Sequence, residues 1–226
     1  MPPLVLLAGM NCTADLWADC GLESVIAPTL DLPSIDAQVE RLLDELPDRF
    51  VLAGLSLGAI VAMSLAVRAP ERVSALCVMS TNAKGPTPAQ HSAWAAWIAR
   101  LDAGESPRAL QEEIVAMLLS PAAQLRDDVV ERTLAMGDDT PPETLRAQLL
   151  LQSTRTDLRS ALESIDVPTL VVSADADALC PPSFHTEIAE AVPRARMVTL
   201  EGGHLLPLER GEAVGALLRG WLAQSG

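Results

Sequence analysis

The feature of this sequence that most constrains its fold is a regular alternation between short apolar runs and longer segments of helical periodicity. The apolar runs carry Val, Leu, Ile and Ala at both odd and even positions, which is typical of strands buried on both faces of a sheet. Strands that alternate with helices predict an α/β fold, with a doubly wound, mostly parallel sheet of about six strands and helices on both faces. The candidate strands are PLVLLAG, SVIAPTL, RFVLAGL, RVSALCVMS, VPTLVVSA and ARMVTLEG.

One long region interrupts this alternation. Residues 81–158 contain no convincing strand, and their prolines divide them into about four helical segments. A connection of this length is too long for an ordinary loop. We therefore predict that residues 81–158 form an all-helical cap over one end of the sheet, and that residues 1–80 and 159–226 form the α/β core.

Composition and charge exclude several classes of partner. Hydrophobic residues make up 49% of the chain and charged residues 20%, which is a globular composition. The net charge of −14 repels phosphate backbones and anionic lipids, so we expect no nucleic-acid or membrane partner. The apolar N-terminal segment MPPLVLLAGMNC lacks the basic region of a signal peptide. We therefore expect a cytoplasmic protein whose four cysteines are free thiols, and the oligomeric state stays open.

A candidate nucleophile lies in the segment Gly54-Leu55-Ser56-Leu57-Gly58, between the run RFVLAG and the nearly all-apolar stretch LGAIVAMSLAV. A serine at such a junction lies on a sharp turn from a strand to a helix, and glycines remove side chains where that turn is tight. The turn presents the hydroxyl at the carboxyl end of a central strand, where open α/β sheets bind their ligands. Ser56 is therefore predicted to be a nucleophile; the alternative is a serine that caps the following helix.

A serine nucleophile needs a base. His204 is the candidate because it follows the last predicted strand, in a loop where Gly202 and Gly203 allow the chain to bring the imidazole to the end of the sheet. The other two histidines, His91 and His185, lie on predicted helices, and we expect them to be structural or solvent-facing. The three histidines show no metal-ligand spacing, so no metal site is predicted.

The base in turn needs an acid that orients it. Asp175 and Asp177 both follow the predicted strand VPTLVVSA, and either could hold the imidazole of His204. The chain order serine, aspartate, histidine is the order found in hydrolases built on an α/β sheet.

Four stretches resemble, in the same order, those of the α/β-hydrolase fold superfamily, and together they span nearly the whole chain. They are PLVLLAGMNCTADLW, LAGLSLGAIVAMSLAVRAPERV, IDVPTLVVSADADALCPP and EGGHLLPLERGEAVGALLRGWL. The acid loop of that superfamily usually reads Gly-x-x-Asp. In this register Ala174 takes the place of the glycine, so the resemblance implies that Asp177 is the acid and that Asp175 is an exposed or capping carboxylate.

The resemblance also implies an oxyanion hole formed by the backbone N–H groups of Met10 and Leu57. Two positions depart from the family pattern. Ala8 replaces a histidine that normally braces the oxyanion loop, and Ala59 stands where a further glycine is common. Neither change removes a catalytic group, and the bracing role of the histidine could pass to Asn11.

These observations predict a serine hydrolase of small esters, thioesters or lactones that forms an acyl-enzyme on a small-molecule acyl substrate and needs no cofactor. An acyltransferase or a carbon–carbon bond hydrolase could use the same three residues. A non-catalytic ligand-binding protein is a further alternative, against which the complete Ser–Asp–His set argues. We expect the cap to line an apolar pocket, although each candidate could also be ordinary cap packing. The candidates are Trp94, Trp97, Met117 and Met136.

Overall fold

A computed structural model describes residues 2–225, and within them the chain forms one six-stranded sheet in which every neighbouring pair of strands is parallel. The strand order is β2-β1-β3-β4-β5-β6. All six predicted strands are present, which confirms the predicted fold class. The strands are β1 Leu4–Leu7, β2 Val25–Ile26, β3 Phe50–Leu55, β4 Val73–Met79, β5 Thr169–Ala174 and β6 Ala195–Leu200.

Helices surround this sheet. They are α1 Ile35–Glu45, α2 Leu57–Arg68, α3 Pro88–Asp102, α4 Pro107–Leu118, α5 Asp127–Asp139, α6 Pro142–Ser153, α7 Pro182–Ala191, α8 Leu206–Glu209 and α9 Gly211–Ser225. Most of α2 is buried, because it packs on β3, β4 and β1 and has almost no polar residue to present to solvent. None of the helices within residues 2–225 combines the length and the apolar character that crossing a membrane requires.

Strand β3 shows why the apolar runs have no polar face. Phe50 and Leu52 pack into one apolar core together with α1 and α2, whereas Val51, Ala53 and Leu55 pack into a second core together with α8 and α9. Successive side chains of a strand point to opposite faces of the sheet. Residues at both odd and even positions of the strand must therefore be apolar when helices pack on both faces of the sheet.

The segment between β4 and β5 carries helices α3 to α6, and the structure assigns no strand to any of residues 81–158. Helix α3 begins with a complete capping box in which Thr87 and Gln90 each bind the other's backbone N–H. The inserted helices have a small apolar cluster of their own, formed by Trp94, Leu101, Leu110, Leu145 and Leu149. On this arrangement we propose the division of the chain into an α/β core and a cap of residues 81–158.

The parallel sheet places the ends of four strands at one edge. Leu7 of β1 pairs with Gly54 of β3, so the loops that follow these strands leave the sheet side by side. The loops after β5 and β6 leave from the same edge, since Ala174 pairs with Leu200. These four loops carry Met10, Ser56, Asp177 and His204, and Leu57 begins the helix that follows the second of them.

Candidate active site

Ser56 lies on the turn between β3 and α2 in a backbone conformation that is rare for a residue with a side chain, with φ 53° and ψ −114°. Such a conformation costs on the order of 1–3 kcal/mol and persists only where the surroundings hold it. Two contacts hold this turn: the Ser56 N–H donates to the carbonyl of Met79 at 2.9 Å, and the Thr81 hydroxyl donates to the Ser56 carbonyl at 3.1 Å. The Ser56 side chain makes no capping hydrogen bond to α2, so the helix-cap interpretation is wrong.

The two glycines of the pentapeptide are required by the close approach of backbone segments. A Cβ atom at Gly54 would lie 2.5 Å from the carbonyl carbon of Gly58, and a Cβ atom at Gly58 would lie 2.2 Å from the carbonyl oxygen of Leu7. Both distances are far below van der Waals contact, and the opposing atoms are backbone that cannot swing away. Gly54 therefore lets the turn close on itself, and Gly58 lets it pack against β1, so that Ser56 lies beside the loop that begins at Gly9.

His204 and Asp177 form a buried hydrogen-bonded pair. The Nδ1 atom of His204 lies 3.0 Å from Oδ1 and 2.9 Å from Oδ2 of Asp177. Oδ1 of Asp177 also accepts the N–H groups of Leu179 at 2.9 Å and Cys180 at 2.8 Å. Burial opposes ionisation of Asp177, but the hydrogen bond and charge of His204 and the two backbone N–H groups outweigh it and lower the pKa of this carboxyl. An ionised acid at Nδ1 leaves Nε2 of the neutral imidazole as the proton acceptor.

Asp175 has a different role from Asp177. Its side chain is exposed, and its Oδ1 atom accepts the N–H of Gly202 at 3.0 Å. It braces the loop that carries His204 without contacting the imidazole. The structure therefore brings Asp177, and not Asp175, to the candidate base.

The loop of His204 is held by a carboxylate that sequence reasoning missed. Glu209 is buried, and it accepts the Gly203 N–H at 3.1 Å, the Ser120 N–H at 2.9 Å and the Ser120 hydroxyl at 2.6 Å. A Cβ atom at Gly203 would lie 2.3 Å from the Ser120 nitrogen. Gly202 adopts φ 152°, a conformation that favours glycine. The double glycine thus gives the loop room to approach both Glu209 and the inserted segment.

The residues predicted to form the oxyanion hole lie in the loop after β1 and at the start of α2. Met10 and Ser56 line the same cavity. Leu57 is the first residue of α2, where backbone N–H groups have no carbonyl partner within the helix. The two segments predicted to supply N–H groups thus follow the neighbouring strands β1 and β3.

Asn11 braces this loop from the inserted helices. It is buried in a left-handed conformation with φ 56°, its N–H donates to the Gln148 side chain at 2.8 Å, and its side-chain amide donates to the Pro107 carbonyl at 3.0 Å. Gln111 donates to the Asn11 carbonyl at 3.2 Å. The partners of Asn11 come from α4 and α6. That Asn11 takes over the bracing role of the histidine that Ala8 replaces stays a prediction.

A cavity of about 440 Å³ opens above Ser56 and His204. Three of the four pocket candidates, Trp94, Trp97 and Met117, contribute to its wall. Met136 is not among the lining residues; it is buried in the apolar core that β3 shares with α8 and α9. The position of Met136 on an apolar helix face could not distinguish the two locations, because residues that line a cavity and residues that fill a core follow the same helical periodicity.

The other two histidines do not contact the pair. His185 is fully buried, and its Nε2 atom accepts the Thr81 N–H at 3.0 Å, so it supports the turn of Ser56 from behind. Burial lowers the pKa of His185 and keeps it neutral. His91 is exposed and packs edge-on against Trp94 with ring centroids 5.8 Å apart. His185 is therefore structural and His91 solvent-facing, as predicted.

The cysteines do not offer a competing nucleophile. All four are buried and free. Burial raises the pKa of Cys12 and Cys180 to about 12 and that of Cys20 to about 11, and it raises the pKa of Cys77 as well. Thiols react as thiolates, so these four are inert near neutral pH.

One group of side chains could hold a metal ion. Donor atoms of Asp177, Cys180 and His204 lie within 4.8 Å of one another. Two of these residues already share a hydrogen bond, so an ion bound by all three would displace the contact that orients the imidazole. Sequence reasoning did not anticipate this arrangement, since it treated Cys180 only as a structural thiol.

A parallel sheet with a strained serine on the turn after its third strand, facing a buried histidine–aspartate pair, defines the α/β-hydrolase class. The model of the family described as "Alpha/beta hydrolase family" matches residues 8–217. This protein belongs to that family.

Curated relatives and solved structures agree with this membership. A pimeloyl-[acyl-carrier protein] methyl ester esterase of Aromatoleum aromaticum is 30% identical over 229 aligned positions, which cover 90% of this chain and 91% of the relative. The protein of that name from Nitrosomonas europaea is 28% identical and covers 87% and 86%. A thermophilic esterase from Thermogutta terrifontis, solved with malate bound, superposes with a TM-score of 0.93 at 26% identity over 100% of this chain and 90% of that one.

Proposed function

We propose that this protein is a serine hydrolase that cleaves ester bonds of small acyl substrates, with Ser56 as nucleophile, His204 as general base and Asp177 as its orienting acid. The observation that carries the proposal is the shared cavity: a serine in a strained turn and a histidine whose Nδ1 atom is held by a buried carboxylate line the same space. These are the three roles that acyl transfer from an ester requires.

In the proposed mechanism the Ser56 oxygen attacks the ester carbonyl carbon while Nε2 of His204 takes the hydroxyl proton. The carbonyl electron pair moves onto its oxygen, and the N–H groups of Met10 and Leu57 stabilise the resulting charge. Asp177 stays ionised and stabilises the imidazolium. The imidazolium then protonates the departing alcohol oxygen, which leaves an ester of Ser56. A water molecule, deprotonated by His204, attacks this ester and regenerates the free serine.

The relatives support ester cleavage as the reaction. The matching proteins of Aromatoleum aromaticum and Nitrosomonas europaea are named for a methyl ester substrate. The lining of the cavity is compatible with an acyl chain, because Trp94, Trp97, Ile114 and Met117 supply apolar surface. Thioesters and lactones present the same carbonyl chemistry and belong to the proposed substrate class.

The decisive experiment combines covalent labelling with turnover. Purified protein is treated with a fluorophosphonate and assayed on p-nitrophenyl esters of graded acyl length. We expect labelling and hydrolysis in the wild type, and a loss of roughly 10⁴- to 10⁶-fold in turnover for Ser56→Ala. Ser64→Ala is the matched control, because Ser64 lies on α2 and donates to the Ile60 carbonyl instead of lining the cavity. Undiminished labelling of Ser56→Ala would contradict the proposal.

A further inference from the structure

The wall of the cavity holds one cation that the proposed reaction does not use. Arg155, which follows α6, is only 7% exposed and lines the cavity together with Ser56 and His204. Its pKa is lowered by burial, yet a guanidinium stays protonated in proteins. A buried positive charge is costly unless an opposite charge accompanies it.

The contacts of Arg155 do not supply that opposite charge. Nη1 donates to the Gln152 side chain at 2.8 Å and Nη2 donates to the Lys84 carbonyl at 2.9 Å, and both acceptors are neutral. Nε has no hydrogen-bond partner, and Arg155 forms no ion pair with any side chain in residues 2–225. The guanidinium is therefore incompletely satisfied at a position that faces the substrate cavity.

The carboxylates near the cavity are already engaged. Glu113 lines it, but its carboxylate pairs with Arg100 and its side chain is 47% exposed. Asp177 is bound by His204 and by two backbone N–H groups. Neither is available to Arg155, so a counter-charge has to come with the molecule that occupies the cavity.

The surroundings of the guanidinium fit a planar anion. The Trp94 ring lies with its centroid 5.7 Å from the central carbon of the guanidinium, a contact that limits the orientation of the group. A guanidinium offers parallel N–H groups that match the two oxygens of a carboxylate. The two hydrogen bonds that Arg155 makes, to Gln152 and Lys84, do not explain why a charged side chain lies here. A neutral glutamine amide could donate the same bonds.

Arg155 also lies close to the catalytic groups. Arg155 and Cys180 line the same cavity, and the positive charge of Arg155 partly opposes the increase that burial causes in the pKa of the Cys180 thiol. The sulfur of Cys180 in turn lies within 4.8 Å of donor atoms of Asp177 and His204. A molecule of modest length in a cavity of about 440 Å³ can therefore contact Arg155 while its ester reaches Ser56.

We propose that Arg155 binds a carboxylate of the substrate, so that the ester hydrolysed at Ser56 belongs to an anionic molecule such as the half ester of a dicarboxylic acid. This inference rests on the proposed ester hydrolysis and names its substrate class. The acidic surface of the protein does not oppose it, because the field inside a cavity is set by the groups that line it.

The first test needs no variant. Monomethyl adipate is compared with its neutral isostere, in which the free carboxyl is replaced by a carboxamide. We expect the wild type to cleave the half ester with a kcat/KM on the order of 10- to 100-fold higher, mostly through a lower KM, because a charge-assisted hydrogen bond is gained. Equal kcat/KM values for the two esters would overturn the inference and leave ester hydrolysis standing.

The second test replaces Arg155. In Arg155→Gln we expect the preference for the half ester to fall to about one, with the turnover of the neutral isostere retained, and in Arg155→Lys we expect part of the preference to remain. Arg159→Gln is the matched control, because Arg159 pairs with Asp157 and Glu187 outside the cavity. If Arg155→Gln lowers the melting temperature and both turnover rates equally, Arg155 only joins Gln152 and Lys84 within the inserted segment, and the inference is wrong.

A third measurement separates this inference from the proposed reaction. Calorimetric titration of Ser56→Ala with the same two compounds reads carboxylate recognition without turnover. We expect the half ester to bind on the order of 10- to 100-fold more tightly than the isostere. This result would stand even if the wild type hydrolysed neither ester, whereas equal dissociation constants would contradict the role of Arg155.

Discussion

Two glycine-containing turns carry the candidate nucleophile and the candidate base, and they are held in place by different means. The turn of Ser56 is fixed mainly by backbone contacts: Gly54 lies against the backbone of Gly58, Gly58 lies against Leu7 of β1, and the Ser56 N–H donates to the Met79 carbonyl of β4. The loop of His204 is fixed by a side chain, because Glu209 joins Gly203 to Ser120 of the inserted segment. The candidate nucleophile is therefore held chiefly by the backbone of β1 and β4, together with the Thr81 hydroxyl, whereas the candidate base is held through a side chain that also contacts Ser120 of the inserted segment.

The largest effect is expected where the histidine loop meets its acid. In Asp177→Asn the amide cannot stabilise the imidazolium and favours the wrong tautomer, so ester turnover should fall by roughly 10⁴-fold. Asp175→Asn is the control, since Asp175 contacts only the Gly202 N–H. Steady-state kinetics on one ester measures both variants. A larger loss in Asp175→Asn would reassign the acid.

The next effect tests the backbone support of the serine turn. Gly58→Ala would place a Cβ atom 2.2 Å from the Leu7 carbonyl oxygen, and we expect it to lower the free energy of unfolding by about 3–5 kcal/mol. Gly220→Ala on α9 is the control, because a Cβ atom there meets nothing within 4 Å and alanine favours a helix by roughly 0.5–1 kcal/mol. Urea unfolding compares the two. A mild effect of Gly58→Ala would mean that the turn is not fixed by backbone contact.

A smaller effect should distinguish the side-chain support of the histidine loop. Glu209→Gln keeps the shape of the side chain but replaces charged hydrogen bonds to Ser120 and Gly203, which should cost about 1–3 kcal/mol. Since the loop carries His204, we expect kcat to fall together with stability. Glu212→Gln on exposed α9 surface should change neither. Unchanged kcat in Glu209→Gln would show that the inserted segment does not influence the base.

The smallest effect concerns pH and the serine turn. Burial holds the pKa of His185 below 6.5, although Asp177 opposes this shift and His204 adds to it. The unfolded chain then binds more protons as pH falls below about 6.5, so stability should decrease in that direction, by at most about 1.4 kcal/mol per pH unit. His185→Gln should weaken this dependence, while His91→Gln should leave it unchanged. Chemical unfolding at a series of pH values measures the slopes.

The serine turn could be predicted from the sequence more fully than the surroundings of His204. The turn of Ser56 could be predicted because its glycines, the strand before it and the helix after it are contiguous in the sequence. The sequence alone left Asp175 and Asp177 as alternatives, and only the resemblance to the family favoured Asp177. In the structure Asp177 contacts the imidazole of His204, whereas Asp175 accepts the Gly202 N–H. Glu209 carries no comparable signal, because a glutamate on an amphipathic helix is usually exposed.

The sequence predicts the inserted helices and offers candidates for the cavity wall, but it does not separate the candidates that line the cavity from those that do not. Trp94 and Met117 line it, whereas Met136 fills the core, and these positions cannot be told apart by apolar spacing. Arg155 illustrates the same point for charge. A sequence offers no reason to bury one arginine among the many that pair on the surface.

The sequence by itself determined the alternation of strands and helices, the serine turn and the order of the three catalytic candidates, because each depends on local periodicity or on adjacent residues. Only the tertiary structure decided which aspartate meets His204, that Glu209 ties the base to the inserted helices, and that Arg155 faces the cavity without a counter-charge. These features join segments distant in the chain, and their free energies depend on burial and on partner distance, neither of which a one-dimensional pattern contains.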